Sequence, residues 1–196
     1  MTSDDRRYGA ILADPPWRFE TRSPKGVTQR SAARKYAVET IAALAAMPMA
    51  DYAAKDCRLF MWVIDSHLHQ GIELMEKWGF TYSTIAFAWV KTVKDACPTC
   101  GLKKPRWTMG YATRKGMEIC LLGVRGKLHR LHADVPQVIM APIREPHRKP
   151  DKVYDHIERL VGGPYAEAFA RQRWPGWDQI LSNEPDKFLT EMKAAE

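Results

Sequence analysis

The sequence predicts an α/β fold, with helices packed around a largely parallel sheet. Three observations carry this. Short apolar runs such as "YGAILAD" (8–14) and "CRLFMWVI" (57–64) have strand length and little or no polar face, as strands covered on both sides do. Segments with helical spacing alternate with these runs, the order of βαβ units. The 196 residues suit one sizeable core, and no repeat or low-complexity linker divides them. A single domain over 1–196 is expected.

Taken in order, "YGAILAD" is a buried strand, and residues 17–36 are a Lys- and Arg-rich stretch with neither period, hence a basic loop. "VETIAALAAMPMADYAAKD" (38–56) holds a short helix broken near Pro48. "CRLFMWVI" is the next strand. "SHLHQGIELMEKWG" (66–79) predicts a helix with Ser66 as N-cap, Leu68, Ile72, Leu74 and Met75 inward, and Gly79 as its stop. "TYSTIAFAWVKT" (81–92) is β-branched and aromatic, so a strand. A second basic loop covers 93–114. "GMEICLLGVRG" and "PQVIMAP" are strands joined by a His- and Arg-bearing turn. A helix starts near Pro150 with Val153, Ile157, Leu160 and Val161 on one face and ends at Gly162 and Gly163. "YAEAFARQ" and "WDQILSN" are the final strands.

Lys and Arg number 30 against 23 Asp and Glu, a formal charge of +7 that favours polyanionic partners, nucleic acid first. No apolar run approaches the ~20 residues that span a bilayer, and no signal peptide opens the chain, so a cytoplasmic protein with no membrane partner is expected. Cys57 and Cys120 lie in apolar runs and read as core. Cys97 and Cys100 form "CPTCG", which looks like one knuckle of a zinc ribbon. A structural zinc site needs four ligands, no second CxxC or HxxxH pair exists, and "HRLH" (His129, His132) reads as solvated loop. No metal is expected.

The first strand ends in Asp14-Pro15-Pro16-Trp17. Composition predicts roughly 0.002 chance occurrences of this tetrapeptide, and it follows a buried strand, where ligands of open α/β sheets bind. Prolines lack N–H and fix φ, making the local carbonyls rigid acceptors. Asp14 adds a carboxylate, and Trp17 offers a flat face for a base. Two aimed acceptors beside an aromatic plate suit the exocyclic amine of adenine or cytosine. They favour the charge-developing nitrogen over the planar one.

With these pieces in place, the sequence resembles the adenine-N6 methyltransferases related to the seventy-kilodalton catalytic subunit of the messenger-RNA adenosine methyltransferase. The resemblance runs from about Tyr8 to Glu184 through "ADPPW", Tyr36, "RLFMWV", "GIELMEKWGF", "AFAWVKT", "GMEICLLGVRG", "REPHRKPDKVYDHIERLVGG", "AEAFARQ" and "PGWDQILSNE". It implies a Rossmann-like, S-adenosylmethionine-dependent methyltransferase sandwich in circularly permuted motif order. It also implies S-adenosylmethionine as the methyl donor. Residues matching Phe169, Arg171, Asn183 and Glu184 line the donor site in the family, and Asp14 touches both donor and acceptor. Residues matching Tyr36, Glu118 and Lys149 surround the acceptor adenine. On its own chemistry, Glu118 sits in an apolar run, where a carboxylate is costly unless partnered. It fits a site role or a structural ion pair, and Phe169 fits a donor site or strand core. Trp62 and Trp89 read as core.

The expected function is therefore adenine-N6 methylation of nucleic acid, DNA favoured over RNA, on a single-stranded or flipped adenine. The chain is expected to act as a monomer or dimer. The alternatives are a catalytically silent nucleic-acid-binding subunit and a cytosine-N4 methyltransferase.

Overall fold

A computed structural model describes residues 7–17, 40–110, 112–127, 129–145 and 148–181. The basic stretch after Trp17, with Tyr36, and the segment holding Asn183 and Glu184 lie outside the described residues.

The elements are β1 (Tyr8–Ala13), α1 (Ile41–Ala46), α2 (Met49–Tyr52), β2 (Ala53–Val63), α3 (Leu68–Lys77), β3 (Thr81–Thr92), β4 (Met117–Arg125), β5 (Val138–Pro142), α4 (Lys152–Leu160), β6 (Tyr165–Ala168) and β7 (Trp177–Ile180). The strands form one sheet in the order β5-β3-β4-β2-β1-β6-β7. Strand β4 runs antiparallel to both neighbours, β2 and β3, and every other pairing among the described strands is parallel. The expected α/β sandwich with a mostly parallel sheet is what the chain forms.

The sheet is covered on both faces, which is why its central strands read as continuous apolar runs. Alternate residues point to opposite faces. Ile11 and Ala13 join Leu44, Met49, Leu74 and Met75 beneath α1–α3, whereas Ala10 and Leu12 join Val153, Tyr154 and Ile157 beneath α4. Pro48 separates α1 from α2, as its missing N–H requires. Gly79 ends α3 at φ +81, and Phe80 N–H closes back to the Met75 carbonyl at 3.1 Å, the two marks of a Schellman stop.

Two local expectations are corrected. Ser66 is not the N-cap of α3, because Asp65–His67 form a 3₁₀ turn and the helix begins at Leu68. The Ser66 backbone N–H donates to Asp65 Oδ1 and its hydroxyl pairs with His67 Nδ1, so local pairing replaces the cap, and Leu68 is exposed rather than inward. The 93–114 stretch is also more than a loop. Bridges at Thr92–Pro105 and Thr108–Lys115 make it a ribbon-like extension between β3 and β4. Among the described residues no helix is long and apolar enough to cross a membrane.

Candidate active site

The antiparallel insertion of β4 builds the site. It carries its own first residues to the edge where β1 and β3 end, so Glu118, opposite Trp89, arrives beside the residue after β1. Lys149, from the turn before α4, lies between the two acids. Its Nζ donates to Asp14 Oδ2 at 2.8 Å and stands 3.5 Å from Glu118 Oε2. Lys91, at the end of β3, closes the chain on Glu118 Oε1 at 2.5 Å. Two lysines and two carboxylates thus alternate in a half-buried row.

Burial alone pulls the Lys149 ammonium down, but the Asp14 and Glu118 carboxylates outweigh it and hold its pKa above the ordinary value. Burial likewise raises Glu118, and the Lys149 and Lys91 charges more than reverse this, leaving it below the usual carboxylate range. Glu118 forms the ion pair that was one of the two alternatives left by the sequence, and it does so within the candidate site.

The turn after β1 is fixed by its own bonds. Trp17 N–H donates to the Pro15 carbonyl at 2.8 Å, and the indole Nε1–H donates to the Trp62 carbonyl at 3.0 Å, latching the turn to the end of β2. Two expectations change here. The Pro15 carbonyl does have a local donor, which uses one of its two lone pairs and leaves one to aim outward. The Trp17 ring does not present an open face, since it is 8% exposed and packed in the core beneath α1–α3. Its observed part is to hold Pro15 and Pro16 in place. Trp62 and Trp89 are core as expected, each with a lysine ammonium, Lys149 and Lys91 respectively, over its ring.

Phe169 follows β6 with φ +62 and Leu181 follows β7 with φ +50, and Phe169 N–H donates to the Leu181 carbonyl at 3.0 Å. Left-handed backbone at two bulky residues costs ~1–3 kcal/mol each and collects at functional sites. The Phe169 ring itself is core, stacked on Trp78 at 6.4 Å. Arg171 is exposed and close enough for its charge to bear on Lys149.

Three site residues escaped the sequence reading. Lys91 is one. Glu167, in β6, faces the site with its carboxyl bonded by the Tyr154 hydroxyl at 2.9 Å. Burial is the main reason its pKa is pushed up to about 7, with the neighbouring Asp14 charge adding to the rise and the Tyr154 bond and Lys149 opposing it. Arg144 is the third. It clasps both oxygens of Asp151 at 2.6 Å and donates to the Lys149 carbonyl at 3.0 Å, so it fixes the turn that carries the lysine. Glu118 was visible because a charge in an apolar run has no other excuse. Glu167 alternates with alanines and looks like the wet face of a strand.

A mostly parallel sheet covered on both faces, with paired charges at the end of its first strand, agrees with a Rossmann-like methyltransferase, and the family match gives that class. The chain belongs to the MT-A70 family, whose profile matches residues 8–182. It is 28% identical over 198 residues to a type II methyltransferase, M.MunI, from a Mycoplasma species, covering 92% of this chain and 79% of that protein. It is 29% identical to the N(6)-adenosine-methyltransferase MT-A70-like protein of Arabidopsis thaliana over 87% of this chain and 23% of the relative. The human N(6)-adenosine-methyltransferase catalytic subunit METTL3 is 28% identical over 87% of this chain, which spans 27% of its length. The chain therefore spans most of the first relative and about a quarter of the other two.

Proposed function

We propose that the chain transfers a methyl group from S-adenosylmethionine to the N6 amine of adenine in nucleic acid, with DNA preferred to RNA. The observation that carries this is the Asp14–Lys149–Glu118 row beside the rigid Pro15–Pro16 turn. The share of length matched supports the DNA preference: 79% of the type II methyltransferase against 27% of METTL3, named for adenosine.

The residues present fit the donor. Asp14 and Glu167 offer carboxylates toward its positive charges, and Phe169, Arg171, Asn183 and Glu184 are the proposed wall of its nucleoside part. When bound, S-adenosylmethionine supplies an electrophilic methyl group on a positively charged sulfur. Asp14 and the outward lone pair of the Pro15 carbonyl accept the two N–H bonds of the adenine amine. That would hold the nitrogen in position and stabilise the positive charge it gains as its bond to the methyl carbon forms and the carbon–sulfur bond breaks, the sulfur leaving as a neutral thioether. Lys149 holds the Asp14 carboxylate in place through its 2.8 Å hydrogen bond. Once the nitrogen carries the methyl group, it sheds one proton to Asp14 or to water. Tyr36, Glu118 and Lys149 surround the base in this reading. Lys103, Lys104 and Arg106, exposed on the β3–β4 extension, contact phosphates.

The test is methyl transfer from labelled S-adenosylmethionine to matched single- and double-stranded DNA and RNA, followed by nucleoside analysis. N6-methyladenine formed fastest on DNA is expected. N4-methylcytosine, or no transfer despite donor binding, contradicts the reading.

A further inference from the structure

Cys97 and Cys100 take no part in the row of charges, yet the backbone around them is built for a purpose. Cys97 N–H donates to the Leu102 carbonyl and Gly101 N–H to the Cys97 carbonyl, both at 2.8 Å. Gly101 makes the turn with φ +69, a conformation that favours glycine. This backbone has the form of a metal knuckle: a tight CPxCG turn closed by its own hydrogen bonds, with both cysteines on it. Both thiols are free, Cys100 is exposed and Cys97 partly so. The turn also stands on a firm base. Val93 N–H bonds the Lys104 carbonyl, Arg106 N–H bonds the Lys91 carbonyl, and Lys115 pairs with Asp65 at 2.5 Å.

Two thiolates are half of a tetrahedral zinc site. The other two cysteines of the sequence, Cys57 and Cys120, are buried strand residues. Among the described residues no third His, Cys, Asp or Glu joins the pair, and the remaining residues contain no cysteine. Among the described residues the remaining two ligands are not at hand, and a second copy related by two-fold symmetry would supply an identical thiolate pair. The same extension exposes Leu102, Trp107 and Met109, an apolar set of the kind that pairing covers. Charge agrees as well. Four thiolates around Zn²⁺ leave two negative charges, beside which Lys103, Lys104 and Arg106 of each copy stand. Without the metal, two such basic ribbons repel.

We propose that Cys97 and Cys100 form half of a Cys₄ zinc site completed by the same pair from a second copy, so that zinc gates a homodimer through the β3–β4 extension. The sequence expectation of no metal considered ligands within one chain only.

The test uses the full chain, reduced and stripped with chelator, titrated with Co²⁺ and then Zn²⁺ while absorbance and light-scattering mass are followed. Expected are the thiolate charge-transfer and tetrahedral bands of a sulfur-rich cobalt site. They should saturate at one metal per two chains as the mass doubles, and reverse with chelator. Cys97→Ser and Cys100→Ser, with far-UV spectra unchanged, should stay monomeric at every zinc level. One metal per chain on a monomer, no metal uptake, or a dimer that survives chelator overturns the proposal.

Discussion

Lys149 is the hinge of the site's electrostatics, and Lys149→Gln tests it. At an effective dielectric of ~20, its ammonium attracts the Asp14 carboxylate at 2.8 Å by ~6 kcal/mol and Glu118 at 3.5 Å by ~5 kcal/mol. Desolvation cancels much of this, and removing one partner of a buried pair costs ~3–5 kcal/mol. The groups are 17–25% exposed on their side chains, which argues for the lower end. Glu118 keeps Lys91, so Asp14 bears the loss. That ~3 kcal/mol is a cost to folding stability; because Asp14 is also proposed to accept from the reacting amine, its displacement should lower kcat/KM on the order of 10²-fold. The pH profile gives an independent reading. Glu118, lowered in the folded protein, contributes stability above its unfolded pKa that is lost as pH falls. Lys149, raised, contributes stability below its unfolded pKa that is lost as pH rises. Glu118 and Lys149 are thus both charged between the carboxylate and lysine ranges, and without Lys149 the Glu118 carboxyl rises and the acid limb of the rate profile moves upward with it. Initial rates against pH with labelled donor, checked by far-UV dichroism for folding, decide it. A folded variant within about threefold of the parent, with an unmoved acid limb, refutes the reasoning.

Glu167→Gln should stabilise the fold at pH 8. A carboxyl raised to about 7 opposes folding once pH passes its unfolded value, by up to ~3 kcal/mol above pH 7, so the gain in Tm should vanish near pH 4. Positive charge placed beside Glu167 by the donor should make the parent release a proton on binding near pH 7, and the same variant should abolish that release, read by calorimetry in buffers of different ionisation enthalpy. Arg144→Ala should lower turnover on the order of tenfold by loosening the Lys149 turn, with little change in melting temperature. Replacing Lys103, Lys104 and Arg106 together by Ala should weaken binding to single strands and reduce the slope of log K against log salt by ~2, at ~0.7 for each phosphate no longer neutralised.

The legible parts of this protein were those where one residue type contradicts its neighbourhood. Two prolines ending an apolar run, a glutamate inside "GMEICLLG" and a tight "CPTCG" each broke a local rule, and each marks a built feature. The reversed direction of β4 was not legible, because an apolar strand buried on both faces reads the same either way. Glu167 stayed hidden because alternation in "YAEAF" spells a half-wet strand, and only the stacking of Tyr154 on Trp174 at 4.4 Å shows that this face is covered. The Arg144–Asp151 fork joins residues seven apart in a turn, where no periodicity exists to point at it.

The most direct test of the account is a single-turnover comparison of the parent with Asp14→Asn, measuring donor affinity and the rate of N6-methyladenine formation on the same preparations. Asn keeps the size and one acceptor oxygen but loses the charge held by Lys149. The account predicts donor binding within about tenfold of the parent and a methyl-transfer step slowed on the order of 10²–10³-fold. Transfer at the parental rate would contradict it.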